Sequence, residues 1–283
     1  AEGQYSSAFV LTEEELRGEK RNVRFNAASI PHTLGESEEA YTSTGRKFLF
    51  HLDRLQEFQL TGRTNPVSTH ISPEGRCNLK CAYCSVSSRE TFNRIDLDVI
   101  KSYIETLKRR GLKAVILTGG GEPTLYTHFN DLVRFIVGND LKVALITNGT
   151  QFDRVEKDVL EVFSWVRISI NIFPGWEEKI RVPEFGPRTT MGFSYVYSTH
   201  EKTDTFIRIK VMADKYNPTY IRLLPNCLLG QEELLLEHRA LSTRLEELDD
   251  PRFFHQLKLH EPPASHRIRP QAILQGSCRA LLR

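Results

Sequence analysis

Six short apolar runs recur between residues 67 and 224, and their alternation with amphipathic segments restricts the fold more than any other feature. The runs are Val67 to Ser72, Ala114 to Thr118, Val143 to Thr147, Val166 to Asn171, Gly192 to Tyr197 and Ile221 to Leu224. Short apolar runs separated by helical periods are the pattern of strands and helices alternating in a parallel sheet. The helical period is clearest at Leu97 to Arg109, where Leu97, Ile100, Ile104 and Leu107 share a face, and at Phe129 to Val137. Val155 to Phe163 and Thr205 to Met212 follow it over shorter spans. The spacing favours an open or closed α/β barrel, but a doubly wound sheet has the same local pattern, so periodicity leaves both open.

The flanks differ from this centre. Residues 1–64 read as a polar leader with acidic clusters at Glu13-Glu14-Glu15 and Glu36-Ser37-Glu38-Glu39. A short helical pattern through Phe48, Leu52, Leu55 and Phe58 is expected to pack it on the barrel, which takes residues 65–228. Residues 229–283 read as a helical extension, with a Leu- and Glu-rich helix from about Gln231 to Leu248 and a Pro-rich Glu261-Pro262-Pro263. The apolar, uncapped ending at Cys278 to Arg283 predicts that the natural chain continues further.

With 38 basic and 36 acidic side chains, the net charge of +2 argues against a polyanion surface as the main purpose of the protein. No run of about 18 apolar residues and no basic-then-apolar leader is present, so no membrane partner is expected and the expected compartment is the cytoplasm. Five cysteines, an odd number with three inside eight residues, fit a ligand set in a reducing compartment better than a disulfide framework.

Those three are Cys77, Cys81 and Cys84, spaced C-x-x-x-C-x-x-C directly after the first strand and its Pro73-Glu74-Gly75 turn. Three thiolates so close can bind three irons of a cubane and leave the fourth open to a non-protein ligand. A structural zinc site is the alternative, with His70 or Cys227 as a fourth ligand; three unrelated buried thiols are the other. One strand later comes Thr118-Gly119-Gly120-Gly121-Glu122-Pro123, whose missing side chains let the backbone approach a ligand closely. A phosphate-cradling turn is a poorer reading: the Walker Gly-Lys-Ser/Thr is missing, the dinucleotide pattern fails at Thr124, and Glu122 would repel phosphate.

The triplet, with Asn78 after the first cysteine and Tyr83 before the third, resembles the signature of the radical S-adenosylmethionine superfamily. The resemblance implies an α/β fold, a partial (β/α)6 TIM-like barrel, here with an N-terminal leader and a C-terminal extension. It also implies a 4Fe-4S cluster on Cys77, Cys81 and Cys84, with S-adenosylmethionine on the open iron and Tyr83 near its adenine. Reductive cleavage to a 5'-deoxyadenosyl radical that abstracts hydrogen from an organic substrate is the implied chemistry. Gly119, Gly120, Gly121 and Glu122 resemble the family's motif that holds the methionyl ammonium. Thr147 and Asn148 resemble the polar strand end bordering the cofactor, Ser169 and Asn171 occupy the usual place of ribose or carboxylate contacts, and Leu223 with Leu224 resembles the backbone edge at adenine. Asn148-Gly149 as an ordinary turn and Ser169 as a core hydroxyl stay open beside these roles. Where the family often has a basic side chain near the fifth strand, Gly192 to Tyr197 has none, so the carboxylate partner is unassigned. Phe193, Tyr195 and Tyr197 line the chamber or form one buried strand face.

The substrate is less constrained. Cys278 with Arg279-Ala280-Leu281-Leu282 is similar to the first ligand region of an auxiliary Fe-S cluster extension, which would require chain past residue 283 and would point to a peptide or an amino sugar. Another small metabolite remains in play, a reductant such as flavodoxin or ferredoxin is implied, and nucleic acid is not expected. No catalytic side chain is assigned. Nine histidines form no i, i+4 metal pair, and no Ser-His-Asp pattern supports a hydrolase. The alternative from another class is a non-catalytic iron-sulfur electron-transfer or binding protein.

Overall fold

The computed structural model describes residues 50–88, 90–170, 179–197, 203–226, 228 and 248–255, all within the unit formed by Glu36–Arg283. Its elements run α1 (Leu52–Thr61), β1 (Ser68–Ile71), α2 (Leu97–Arg109), β2 (Ala114–Leu117), α3 (Phe129–Gly138), β3 (Lys142–Thr147), α4 (Lys157–Leu160), β4 (Trp165–Ser169), β5 (Thr190–Tyr197), α5 (Thr203–Tyr216), β6 (Tyr220–Pro225) and β7 (Phe253–His255). Asn171, Cys227, Cys278, the leader before Phe50 and most of the extension lie outside the described residues.

The helices form where apolar spacing and end signals agree. Asp96 caps α2 by accepting the Asp98 N–H at 2.9 Å, Ile100, Ile104 and Leu107 bury one face, and Lys108 and Arg109 meet the negative end of the dipole. In α3 the buried set is Phe129, Leu132, Val133 and Ile136, the i, i+3, i+4, i+7 stripe of a helix lying on a sheet. Helix α1 forms at its expected place, yet none of its residues is buried, and Leu52, Phe58 and Leu60 are exposed. It is tied down by Arg54, which donates to the Gly111 carbonyl at 3.1 Å.

All seven strands are parallel and stand in chain order, β1 to β7. This order decides between the two architectures that periodicity left open. A doubly wound sheet reverses its order at a switch point, whereas an unreversed series with right-handed crossovers puts the helices on one face and leaves the other concave. The sheet is therefore an open, partial barrel. Strand faces alternate accordingly: Val115, Leu117, Val143, Leu145, Val166 and Ile168 are fully buried, while Ile146, Arg167 and Ser169 between them border a cavity.

One sequence expectation needs correction, and one pair of alternatives is decided in favour of the buried strand face. The sheet has a seventh strand, Phe253–His255, inside the segment read as a helical extension. Three residues are too few to show a period, and the strand is held by side chains. Asp250 accepts from Lys210 at 3.0 Å and from Arg252 at 2.7 Å, and Arg252 also reaches Asp214 of α5. The aromatic run of β5 does not line the chamber: Phe193, Tyr195 and Tyr197 are buried on the face opposite Ser194 and Val196, with the Tyr197 ring 5.5 Å from Phe206 of α5.

Candidate active site at the strand ends

The loop that follows β1 is closed at its base by backbone pairing. Gly75 N–H donates to Asn93 at 2.8 Å and Ile95 N–H to Pro73 at 3.0 Å, so residues 76–92 project from a fixed neck. The glycine run after β2 lies against that neck: Gly120 N–H meets the Ser72 hydroxyl at 2.8 Å, Gly121 N–H the Glu74 carbonyl at 3.0 Å, and Glu122 N–H the Arg76 carbonyl at 2.8 Å. Only glycine fits in the middle of this seam. A Cβ at Gly121 would sit 2.0 Å from the Arg76 oxygen.

Two carboxylates anchor the seam. Glu74 is buried and accepts from the Arg76 backbone at 3.1 Å and from its guanidinium at 2.8 Å. Burial pushes its pKa up, but the Arg76 hydrogen bonds and charge outweigh burial and leave it below the ordinary value. Glu122 is wholly buried. Its Oε1 accepts from Thr147 Oγ1 at 2.6 Å, Thr124 Oγ1 at 2.7 Å and Thr124 N at 3.1 Å, and its Oε2 from Asn148 N at 2.7 Å. Burial raises its pKa despite these bonds from Asn148, Thr147 and Thr124. The carboxylate thus fastens the end of β2 to the end of β3, and the glycine backbone is what the run presents to the cavity.

Cys77, Cys81 and Cys84 line a cavity of about 520 Å³ at the C-terminal ends of the strands, together with Tyr83, the run from Gly119 to Glu122, Thr147, Asn148 and Ser169. None of the three is in a disulfide, and Cys77 Sγ receives the Leu79 N–H at 3.5 Å and Asn148 Nδ2 at 3.9 Å. Asn148 Nδ2 also donates to Asn78 Oδ1 at 2.9 Å, and Asn78 donates to Thr150 Oγ1 at 2.7 Å, which ties the cysteine loop to β3. Burial beside the Cys81 and Cys84 thiols pushes the Tyr83 phenol far up, so it stays neutral. Among the described residues no three His, Cys, Asp or Glu side chains converge on one point as a single metal ion requires. Three thiols lining one cavity can each take its own iron of a cluster. The donor set and the adjoining bare backbone therefore fit a site-differentiated cluster with an organic ligand.

Of the residues singled out in the sequence, Leu223 does not line this cavity: it is fully buried on the helix side, and its neighbour Leu224 faces inward. The basic side chain missing from β5 has counterparts on its two neighbours. Arg167 of β4 lines the cavity, and Arg222 of β6 is registered beside Ser194, whose hydroxyl lies 3.4 Å from that of Ser169. Both arginines escaped sequence reading because a lone charge in an apolar run resembles an outward-facing residue. The signal was available in their i, i+2 phase with Ser169 and Leu224.

An unreversed parallel sheet with a thiol loop and a bare glycine backbone at its rim defines a cofactor-dependent α/β barrel protein. The family model of the Radical SAM superfamily matches residues 71–180 of the chain. The segment is similar to the Fe-coproporphyrin III synthase of Methanosarcina barkeri, 33% identical over 110 residues, which are 38% of this chain and 27% of that protein. It is also similar to the S-adenosylmethionine-dependent nucleotide dehydratase of Selenomonas ruminantium, 34% identical over 84 residues, 30% of each chain. The subtilosin biosynthesis protein AlbA of Bacillus subtilis is 30% identical over 101 residues, 35% of this chain and 22% of AlbA. The chain thus matches less than a third of the length of each of these relatives. Among solved structures, SuiB of Streptococcus suis, in a complex with S-adenosylmethionine, shares the fold with a TM-score of 0.52 and 14% identity over 77% of this chain and 57% of SuiB. Among the described residues no helix is long and apolar enough to cross a membrane.

Proposed function

We propose that the protein is a radical S-adenosylmethionine enzyme that carries a 4Fe-4S cluster on Cys77, Cys81 and Cys84 and abstracts hydrogen from a peptide or small-molecule substrate. The observation that carries this reading is the seam between the two motifs: the thiol loop and the glycine run are bonded backbone to backbone on one cavity wall. When bound, the reduced cluster supplies one electron to the sulfonium of S-adenosylmethionine and so releases methionine and the 5'-deoxyadenosyl radical.

The chain's own groups would hold the reactants. Carbonyls of Gly119 to Gly121 accept from the methionyl ammonium, and no side chain separates them from it. Tyr83, neutral and half-buried beside the thiols, offers an aromatic face to the adenine. Ser169 and Ser194 present adjacent hydroxyls for the ribose or the carboxylate, and Leu224 packs against the base. The N–H groups on Cys77 Sγ stabilise the thiolate and favour the reduced cluster. A flavodoxin or ferredoxin would deliver the electron, and the cytoplasm would keep the thiols free.

The test is anaerobic reconstitution with dithionite and S-adenosylmethionine, with 5'-deoxyadenosine quantified against a Cys81→Ala control. Formation that depends on Cys81 supports the reading. No product from a verified reduced cluster sinks it and promotes a non-catalytic iron-sulfur protein.

A further inference from the structure

We propose that Arg167, on the cavity wall of β4, is an oxyanion-binding group inside the barrel that takes a carboxylate or phosphate group of the substrate, with Arg222 registered two strands away adding positive charge. The proposal rests on reading the cavity as a radical enzyme's active site and names the chemistry its substrate must carry.

Position comes first. Arg167 shares its strand face with Ser169 but lies two residues earlier, and at about 3.3 Å per residue it sits about 6.6 Å below the rim. Arg222 stands two strands away, level with Ser194 and hence with Ser169. Between them, directly beside Arg167, β5 has Gly192. A Cβ there would lie 2.2 Å from the Tyr220 ring, so its absence lets that ring cross the strand and bond Arg167. The chain thus gives up a side chain in mid-strand to hold a guanidinium in place.

Charge comes second. The groups that meet Arg167 are Tyr220, by a hydrogen bond, and the Trp165 ring, whose centroid is 5.8 Å from its Cζ. Neither carries a negative charge, and no ion pair of Arg167 occurs among the described residues. Burial lowers the pKa of Arg167, and burial followed by the Arg167 charge brings Arg222 down to about 10. Both remain cationic at neutral pH. His70, the ionisable group on β1 that feels Arg167, is driven toward its neutral form first by burial and then by that charge, so it adds no counter-ion. Arg167, a half-buried cation with no carboxylate against it among the described residues, is unfavourable unless something arrives to pair with it. The guanidinium fork matches a planar or tetrahedral oxyanion. The methionyl end of the cofactor belongs at the glycine run, which leaves this deeper charge to the substrate.

The test uses the full chain, cluster-loaded and saturated with S-adenosylmethionine, without reductant. Isothermal titration calorimetry follows binding of sodium pyrophosphate and, separately, of sodium succinate. The expected result is saturable binding of at least one probe, weakened at least about tenfold by Arg167→Gln and less by Arg167→Lys. The preferred probe tells phosphate from carboxylate. Three results overturn the proposal: no saturable binding of either probe to the wild type, unchanged affinity in Arg167→Gln, or competition between probe and S-adenosylmethionine, which would hand the arginines to the cofactor. Should Arg167→Gln fail to take up the cluster, the wild-type titration and Arg222→Gln decide by the same criteria. Absence of 5'-deoxyadenosine with anion binding intact would sink the enzyme reading and leave the site standing, so the two failures are distinguishable.

Discussion

Replacing Glu122 by Gln isolates the joint between the glycine run and β3. The carboxylate accepts four hydrogen bonds, three on Oε1 and one on Oε2. An amide keeps one acceptor oxygen. With its oxygen toward Thr124 and Thr147, its NH2 meets the Asn148 N–H, 2.7 Å from the original oxygen. Flipped, it meets the Thr124 N–H and two hydroxyls instead, which is worse. The minimum loss is therefore one buried backbone N–H left unsatisfied, about 1–3 kcal/mol. For a domain of this size, about 2 kcal/mol lowers Tm by roughly 4–8 °C. The pH dependence has a definite sign. Burial raises the folded-state pKa of Glu122, so its protonation favours the fold fully below the ordinary carboxylate pKa, and this contribution is lost as the pH rises through the raised value. The gap in stability between wild type and variant is thus widest at acid pH and narrows upward. Thermal melts of the apo-protein followed by circular dichroism across pH measure both. An unchanged Tm would refute the brace, and a gap that widens with pH would refute the burial argument.

Gly121→Ala should leave helix content intact but separate the seam, with two backbone hydrogen bonds worth about 1 kcal/mol each at stake; reconstituted iron per chain should fall, and full loading would contradict the close approach to Arg76. Asp250→Asn should cost about 2 kcal/mol by weakening the clasp on β7, read by chemical denaturation. Because Arg252 first, and then Lys210, hold the Asp250 pKa far below the ordinary carboxylate value, its contribution is complete above that ordinary value and disappears as the pH falls toward the depressed one. The penalty of the Asn variant should shrink in acid, and a penalty independent of pH would count against the clasp.

Local periodicity carried the six central strands and α2, because Ile100, Ile104 and Leu107 must all meet the sheet. It could not carry β7, which exists through Asp250, Arg252 and Lys210 pairing across the fold. The thiols and glycines were legible because their chemistry needs close spacing along the chain. Glu122 was legible as part of a motif, yet its bonding to Thr124, Thr147 and Asn148 depends on which way a side chain turns at a strand end. Arg167 and Arg222 were missed for a related reason: 55 residues apart, they become neighbours only once strands four to six pair in order.

The backbone seam joins residues 74–76 to 119–122 as tightly as two strands of one hairpin, although more than 40 positions of chain lie between them. Neither stretch can be transplanted, randomised or repaired alone. If the thiol loop carries the proposed cluster, a library that varies the glycine run is in effect also a library of iron sites, and iron content alone would rank its members before any substrate is in hand.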